Sequence, residues 1–461
     1  MDNSVIRSAR LGPALGLWPS VFGHRHEHQA QRDQDQQQPE RRPARAGAVS
    51  EEGDVELSMF GLKEAEVAEL VRAVAGRDLH RDAIEERFAR ATWSGIAEPG
   101  DGVAGLVIDA IGAPRALAAV VERWSAERLL AELGANGAAT EDDLQQALDR
   151  WMPRLNSGAA LIALRQASRV GAALRIPADE LWPAGLDDLQ IHAPLALWTR
   201  GTTTALRALT RSIALVGARA ATGYGEHVTM ESSAGLVDRG YAIVSGAAYG
   251  IDGMAHRAAL ASKGHTVAFL AGGVDRFYPS GHDALLTRIV ESGAVVSELP
   301  PGSPPTKWRF LQRNRLIAAA SLATVVVEAG WRSGSLNTAH HAGSLGRHVG
   351  AVPGPVTSAA SSGCHRLMRE GAAICVTTAD EMAELAPLEA LVAADSRVGG
   401  FAEGTRLLDA MSTRAPRVAS DIAVRAGLSI AEVQALLGQL ELTGAVGERE
   451  RGWVKAEPKL E

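Results

Sequence analysis

Basic and aromatic side chains interleave at Lys307-Trp308-Arg309-Phe310, and Arg313-Asn314-Arg315 follows two residues later. Such a mixture suits single-stranded nucleic acid, where cations track the phosphates and ring faces stack on unpaired bases. The enclosing stretch, Leu299 to Arg369, holds eight Lys or Arg against one carboxylate, Glu328, although the whole chain is acidic, with 47 basic and 54 acidic residues. A local cationic excess in an acidic chain points to a face built for an anion. A second candidate is Gly217-Ala218-Arg219. Its glycine admits a close backbone approach, and its guanidinium is a planar fork matched to phosphate oxygens.

Other chemistries are poorly served. Gly217-Ala-Arg-Ala-Ala-Thr-Gly223 lacks the dinucleotide spacing, and Ser245-Gly246 stands where a ribose-binding carboxylate would be needed. There is no Walker A sequence, no G-x-S-x-G elbow and no H-E-x-x-H. His340 and His341 are adjacent on an expected helix, about 100° apart, which is a poor chelating geometry. Cys364 and Cys375 are too few for a disulfide framework and lack C-x-x-C spacing. No apolar run reaches the roughly 18 to 20 residues of a membrane span, and the first twenty residues lack a signal-like apolar core. The expectation is a cytoplasmic protein with no catalytic set, no metal, no cofactor and no membrane contact.

The elements that must position these residues follow from hydrophobic rhythm. From near Pro194, β-rich runs at Ser212 to Val216, Tyr241 to Val244, His265 to Leu270, Ala294 to Ser297, Ala323 to Val327 and His348 to Val352 alternate with helical segments. That alternation predicts an α/β fold, an extended Rossmann-like doubly wound parallel sheet. Ligands bind such sheets beyond the carboxyl ends of the strands. The residues there are Gly217-Ala218-Arg219, Ser245-Gly246, Gly272-Gly273, Ser333-Gly334-Ser335 and Pro353-Gly354-Pro355. Glycine turns are common in any α/β protein, but five beside a cationic stretch favour an anion site at one sheet edge.

The flanks differ. Residues 1–56, almost without apolar side chains between His24 and Arg45, are expected to be disordered or a spurious extension. Apolar residues at three- and four-residue spacing predict a helical domain over 57–187, the sheet domain spans 188–388, and 389–402 form a linker. Over 403–456, Ser429-Ile-Ala-Glu432 opens a third helix, and two short strands flank Gly447 to Gly452, a winged-helix pattern. Its third helix carries Glu432 and Glu441 and no Lys or Arg, which favours a protein contact or regulatory role over duplex reading by a transcriptional regulator.

In order, Val216-Gly-Ala-Arg219, Tyr224-Gly225, Val244-Ser-Gly-Ala-Ala-Tyr-Gly-Ile-Asp252, Ala255-His256, Gly272-Gly-Val-Asp275, Tyr278-Pro279, Arg313-Asn-Arg315, Glu328-Ala329, Ser333-Gly-Ser-Leu336 and Val352-Pro-Gly354 resemble the DNA-processing protein A family (DprA, also called Smf). The resemblance covers about Pro194 to Leu385. It departs at Ala218, where the family often has Ser, and at Leu311, where it often has Pro. It implies a non-catalytic single-stranded DNA-binding protein that protects incoming DNA and assists loading of RecA recombinase in natural transformation. A homodimer and contact with single-strand-binding protein are implied partners. The implied DNA pocket falls on Arg219, Lys307 and Phe310, with Ser245, Gly246, Arg313, Asn314, Arg315, Ser333, Gly334 and Ser335 around them. The competing expectation is a nucleotide-processing enzyme of the phosphoribohydrolase type, with Glu328 as its candidate acid or base.

Overall fold

The computed structural model describes residues 61–134, 139–387, 407–408, 410–413, 415–442, 445–449 and 452–456. The expected extension over 1–56 and the linker over 389–402 lie outside the described residues.

A nine-stranded sheet organises the chain. Its strands are β1 (Ala173–Arg175), β2 (Leu197–Gly201), β3 (Ser212–Val216), β4 (Ala242–Ser245), β5 (Thr266–Phe269), β6 (Ala294–Ser297), β7 (Ala323–Val326), β8 (His348–Ala351) and β9 (Ile374–Cys375), in the order β1-β2-β6-β5-β4-β3-β7-β8-β9. From β6 to β9 all neighbours are parallel, whereas β2 pairs antiparallel with β6 and β1 antiparallel with β2. The six runs read from sequence are all strands, because β3 to β7 are buried along their whole length and so are almost continuously apolar. Within β3, Ile213 and Leu215 face one core, with Ile243, Val325 and Leu236, while Ala214 and Val216 face the other, with Leu316 and Val326. This is the two-residue period of a strand covered by helices on both sides.

Chain order runs β3-β4-β5-β6 outward on one side, then returns through the helix Lys307–Ala320 to β7 on the other side of β3. The point of reversal lies between β3 and β7. A crevice opens there at the carboxyl ends of the strands, because the connections leave in opposite directions.

Among the described residues, seven α-helices between Glu64 and Arg169 precede the sheet. Thr140 and Asp143 form a capping box at the start of Glu141–Trp151. Trp93 and Trp151 meet edge to face at 5.0 Å inside this helical region. The same core continues into the sheet: Trp198 of β2 is fully buried with these residues, and its Nε1–H donates to Ser94 Oγ at 3.2 Å. The sheet therefore begins at Ala173, within the span expected to be helical, and the helices share its core. Gly102–Ile111 and Ala113–Val121 are apolar because they pack here, and no single helix among the described residues is long and apolar enough to cross a membrane.

The C-terminal unit has helices Ala419–Ala426 and Ile430–Leu442, followed by the antiparallel pair β10 (Val446–Arg449) and β11 (Gly452–Lys455). Gly427 ends the first helix in the left-handed conformation, and Ser429 and Glu432 exchange the two hydrogen bonds of a capping box. Ile422, Val433, Leu437 and Val446 form its core. The fold is thus a mixed α/β sheet dominated by parallel strands, with a helical N-terminal region and a winged helix.

Candidate nucleic-acid interface

The crevice at the β3/β7 reversal is a cleft of about 480 Å³. Its walls are the Gly217-Ala218-Arg219 turn after β3, the start of the helix Lys307–Ala320, and the loop from Gly330 to Ser335 after β7. Thr306 caps the helix, its hydroxyl accepting from the Arg309 N–H at 3.3 Å, and this fixes where the helix begins. Phe310, on its first turn, faces the cleft. The Arg219 guanidinium lies 5.1 Å from the Phe310 ring centre, that of Arg313 lies 5.9 Å away, and Tyr278 packs against the ring at 5.5 Å. Arg219 is exposed and makes no ion pair or hydrogen bond among the described residues. The arrangement presents a ring face beside a free, stacked guanidinium, which suits an unpaired base next to its phosphate.

Two helix N-termini meet at this reversal and they are used differently. At the start of Gly223–Asp238, the Thr222 N–H and hydroxyl donate to the Glu328 carboxylate at 2.9 and 2.6 Å. Glu328 is almost fully buried, and a side chain at Gly225 would collide with it. A protein carboxylate thus holds the place where an anion would otherwise sit. At the start of Ser335–Ser344 the loop opens into the cleft instead. Ser333 Oγ and Ser335 Oγ lie 2.7 Å apart, and the Asn314 amide donates to Gly334 O and to Asn337 Oδ1, both at 3.3 Å. Asn314 thereby ties this loop to the helix that carries Phe310.

Beneath the cleft lies a buried polar layer. Arg313 donates to Phe269 O at 2.7 Å while its Nε has no hydrogen-bond partner. Burial pushes the Arg313 guanidinium down to about 10, against the favourable charge of Asp252 and with the opposing charge of Arg219. Burial likewise raises the Asp252 carboxyl above the usual carboxylate range, although the charge of Arg313 and backbone N–H groups oppose the shift. Asp252 accepts from Gly246 N–H at 3.2 Å. A Cβ on Gly246 would fall 1.8 Å from an Arg313 nitrogen, so only glycine leaves room for this guanidinium.

Seven of the eleven residues singled out from sequence line the cleft: Arg219, Phe310, Arg313, Asn314, Ser333, Gly334 and Ser335. Lys307 is exposed on the first turn of the helix, outside the cleft wall. Three others serve the interior. Ser245 is buried and donates to Leu215 O at 2.6 Å, and Gly246 supports Arg313 from behind. Arg315 turns away into a buried pair with Glu298, at 2.7 and 2.6 Å, and donates to His192 O. The cationic stretch is also more neutralised than its count suggests. Arg309, Arg315, Arg347 and Arg366 pair with Glu98, Glu298, Asp188 and Glu370. Burial alone would raise the Glu98 carboxyl, but the hydrogen bond and charge of Arg309 hold it below its ordinary value. Trp331 and Arg332, outside the eleven, also stand on the cleft wall. Their basic-aromatic adjacency, the same signal as at Lys307 to Phe310, marks them.

Comparison with known proteins agrees with this architecture. The model described as DNA recombination-mediator protein A matches residues 173–387, and that of the DprA winged helix domain matches 400–450. A DNA processing protein DprA of Mycobacterium tuberculosis strain H37Rv is 48% identical over 301 residues, covering 62% of this chain and 77% of that protein. Protein Smf of Escherichia coli K12 is 37% identical over 292 residues, covering 61% and 76%. The X-ray structure of DNA processing protein A from Streptococcus pneumoniae aligns with a TM-score of 0.50 at 29% identity, over 63% of this chain and 94% of that one. With sheet, winged helix and sequence matched in one order along the chain, this protein belongs to the DprA/Smf family.

Proposed function

We infer that this chain is a DNA-processing protein that binds single-stranded DNA in the β3/β7 cleft, protects incoming strands and assists RecA loading in natural transformation and recombination. One observation carries the reading: an unpaired Arg219 stacked at 5.1 Å against the Phe310 ring, at the mouth of a cleft where strands reverse direction. Family membership supports the DNA-processing role. Arg219 and Lys307 supply phosphate contacts, Phe310 a stacking face, and the Ser333-Gly334-Ser335 loop backbone and hydroxyl donors. Arg313 and Asn314 hold the floor and loop in place, and Ser245, Gly246 and Arg315 act behind them. The protein acts as a homodimer in the cytoplasm, with RecA and single-strand-binding protein as partners and without catalysis. In the C-terminal unit the acidic helix Ile430–Leu442, with Glu432 and Glu441 exposed, fits a protein contact better than a duplex contact.

The enzyme reading loses its first candidate in Glu328, which is committed to Thr222. Its favourable observation is Asp252, a carboxyl raised by burial at the cleft floor. The discriminating experiment measures binding of single-stranded and duplex oligonucleotides by fluorescence anisotropy and, in parallel, release of free base from nucleoside monophosphates. Tight single-strand binding with no base release is expected. Base release abolished by Asp252→Asn would replace the binding reading with the enzymatic one.

A further inference from the structure

Trp331 lines the same cleft as Phe310, from the loop after β7, and 58% of its surface is exposed. A tryptophan so placed gives up much of the stabilisation that burial would bring, yet its ring is held firmly. Arg366, on the helix Ser362–Arg369, stacks under it at 5.0 Å and donates from Nη1 to the Trp331 carbonyl at 3.2 Å. Glu370 at 3.8 Å partly neutralises Arg366, whereas neighbouring Arg332 is exposed and makes no ion pair or hydrogen bond among the described residues. Both Trp331 and Arg332 face the cleft shared with Arg219 and Phe310.

We propose that Trp331 is a second base-stacking platform, with Arg332 binding the adjoining phosphate, so that the cleft holds two unstacked bases of one strand between two ring faces. The proposal rests on the single-strand reading above. It extends that reading from one ring beside one guanidinium to a pair of such units: Phe310 with Arg219, and Trp331 with Arg366 and Arg332. A stacking face tolerates any base, so the pair lengthens the site without adding sequence preference. An acidic protein segment could also meet a ring between cations, and the experiment separates the two.

The test uses the full-length chain and the shortest oligonucleotide that the wild type holds, with single abasic positions moved along it. Trp331→Ala is expected to weaken binding roughly 5- to 100-fold, the range for one stacked base, and Trp331→Phe to restore most of it. In the wild type, abasic substitution should be costly at two positions; Trp331→Ala should abolish the cost at one and Phe310→Ala at the other. Because Trp331 lies at the surface, its substitution should leave the melting temperature unchanged, and Arg366→Ala, which removes only the support, should give an intermediate loss. Undiminished binding by Trp331→Ala while Phe310→Ala is weakened would overturn the second platform and leave the first in place. A change in self-association with no change in oligonucleotide binding would assign Trp331 to a protein contact instead. If neither wild type nor variants bind single strands, the underlying reading fails, and the platform with it.

Discussion

Arg219 on the cleft wall and Lys307 just outside it stand open to solvent, whereas Arg313 and Arg315, six and eight residues beyond Lys307 on the same helix, are buried. The sequence presents the four as similar cations, and their surroundings give them different work. Arg315 faces Glu298 from the end of β6 and holds the helix against the sheet and the His192 carbonyl. Arg313 is confined by Gly246, Asp252 and Phe269. A guanidinium so confined cannot swing out to a ligand without abandoning a buried partner, so it sets the floor of the cleft. In the proposed binding mode the open cations supply the field that reaches an approaching strand. Charge count within a stretch therefore overstates its binding capacity by the number of carboxylates that other parts of the chain bring to it.

The strongest way to break this contrast is Arg315→Ala. Removing one partner leaves Glu298 buried and uncompensated, and a loss of about 3–5 kcal/mol of folding stability is expected. Chemical denaturation measures it, and the protein that remains folded should keep its affinity for single strands. Unchanged stability with lost affinity would move Arg315 to the binding side.

A smaller effect comes from His256 in the same buried layer. Thr266 Oγ1 gives its one proton to Ile243 O at 2.8 Å, so His256 Nδ1–H donates to that oxygen at 2.7 Å, and Nε2 is left without a partner. Burial, with the charges of His282, Arg313 and Arg257, pushes this imidazole down to about 3. The folded state therefore binds fewer protons than the unfolded one, where the ring titrates at about 6.5. Its neutral form contributes stability above that value, and the contribution is lost as pH falls toward 3. At pH 5 the loss is about 2 kcal/mol. Denaturant titrations at pH 7 and pH 5 should show it, and His256→Asn should remove that part of the pH dependence.

Least costly to the fold is Lys307→Ala. This cation has no partner among the described residues, so melting should be unchanged, while the dependence of log affinity on log salt should fall by about 0.7, one phosphate contact to a single strand. An unaltered slope would show that Lys307 lies off the strand's path.

Much of this was legible beforehand, for a physical reason. Strands buried on both faces must be apolar throughout, so β3 to β8 announced themselves, and the residues after them marked the crevice. β1 has three residues, β9 has two, and β2, between the antiparallel neighbours β1 and β6, mixes Trp198 with Arg200, so none carries such a run. The cleft itself was legible as glycine turns and Arg219. What sequence could not provide was the direction of each cation, because Glu98 lies 211 residues from Arg309 and Asp188 lies 159 from Arg347. Trp331 escaped for another reason: it sits in a glycine-serine loop whose residues suggest a turn, and only the fold brings it to the cleft that Phe310 lines.

Strand binding through the open cations is tested most directly by the single-strand affinity of Arg219→Ala beside that of the wild type, measured by anisotropy at two salt concentrations with melting recorded in parallel. A loss of about 1–2 kcal/mol, roughly five- to thirtyfold, a shallower salt dependence and the same melting temperature are expected. Equal affinity at both salt concentrations would contradict it.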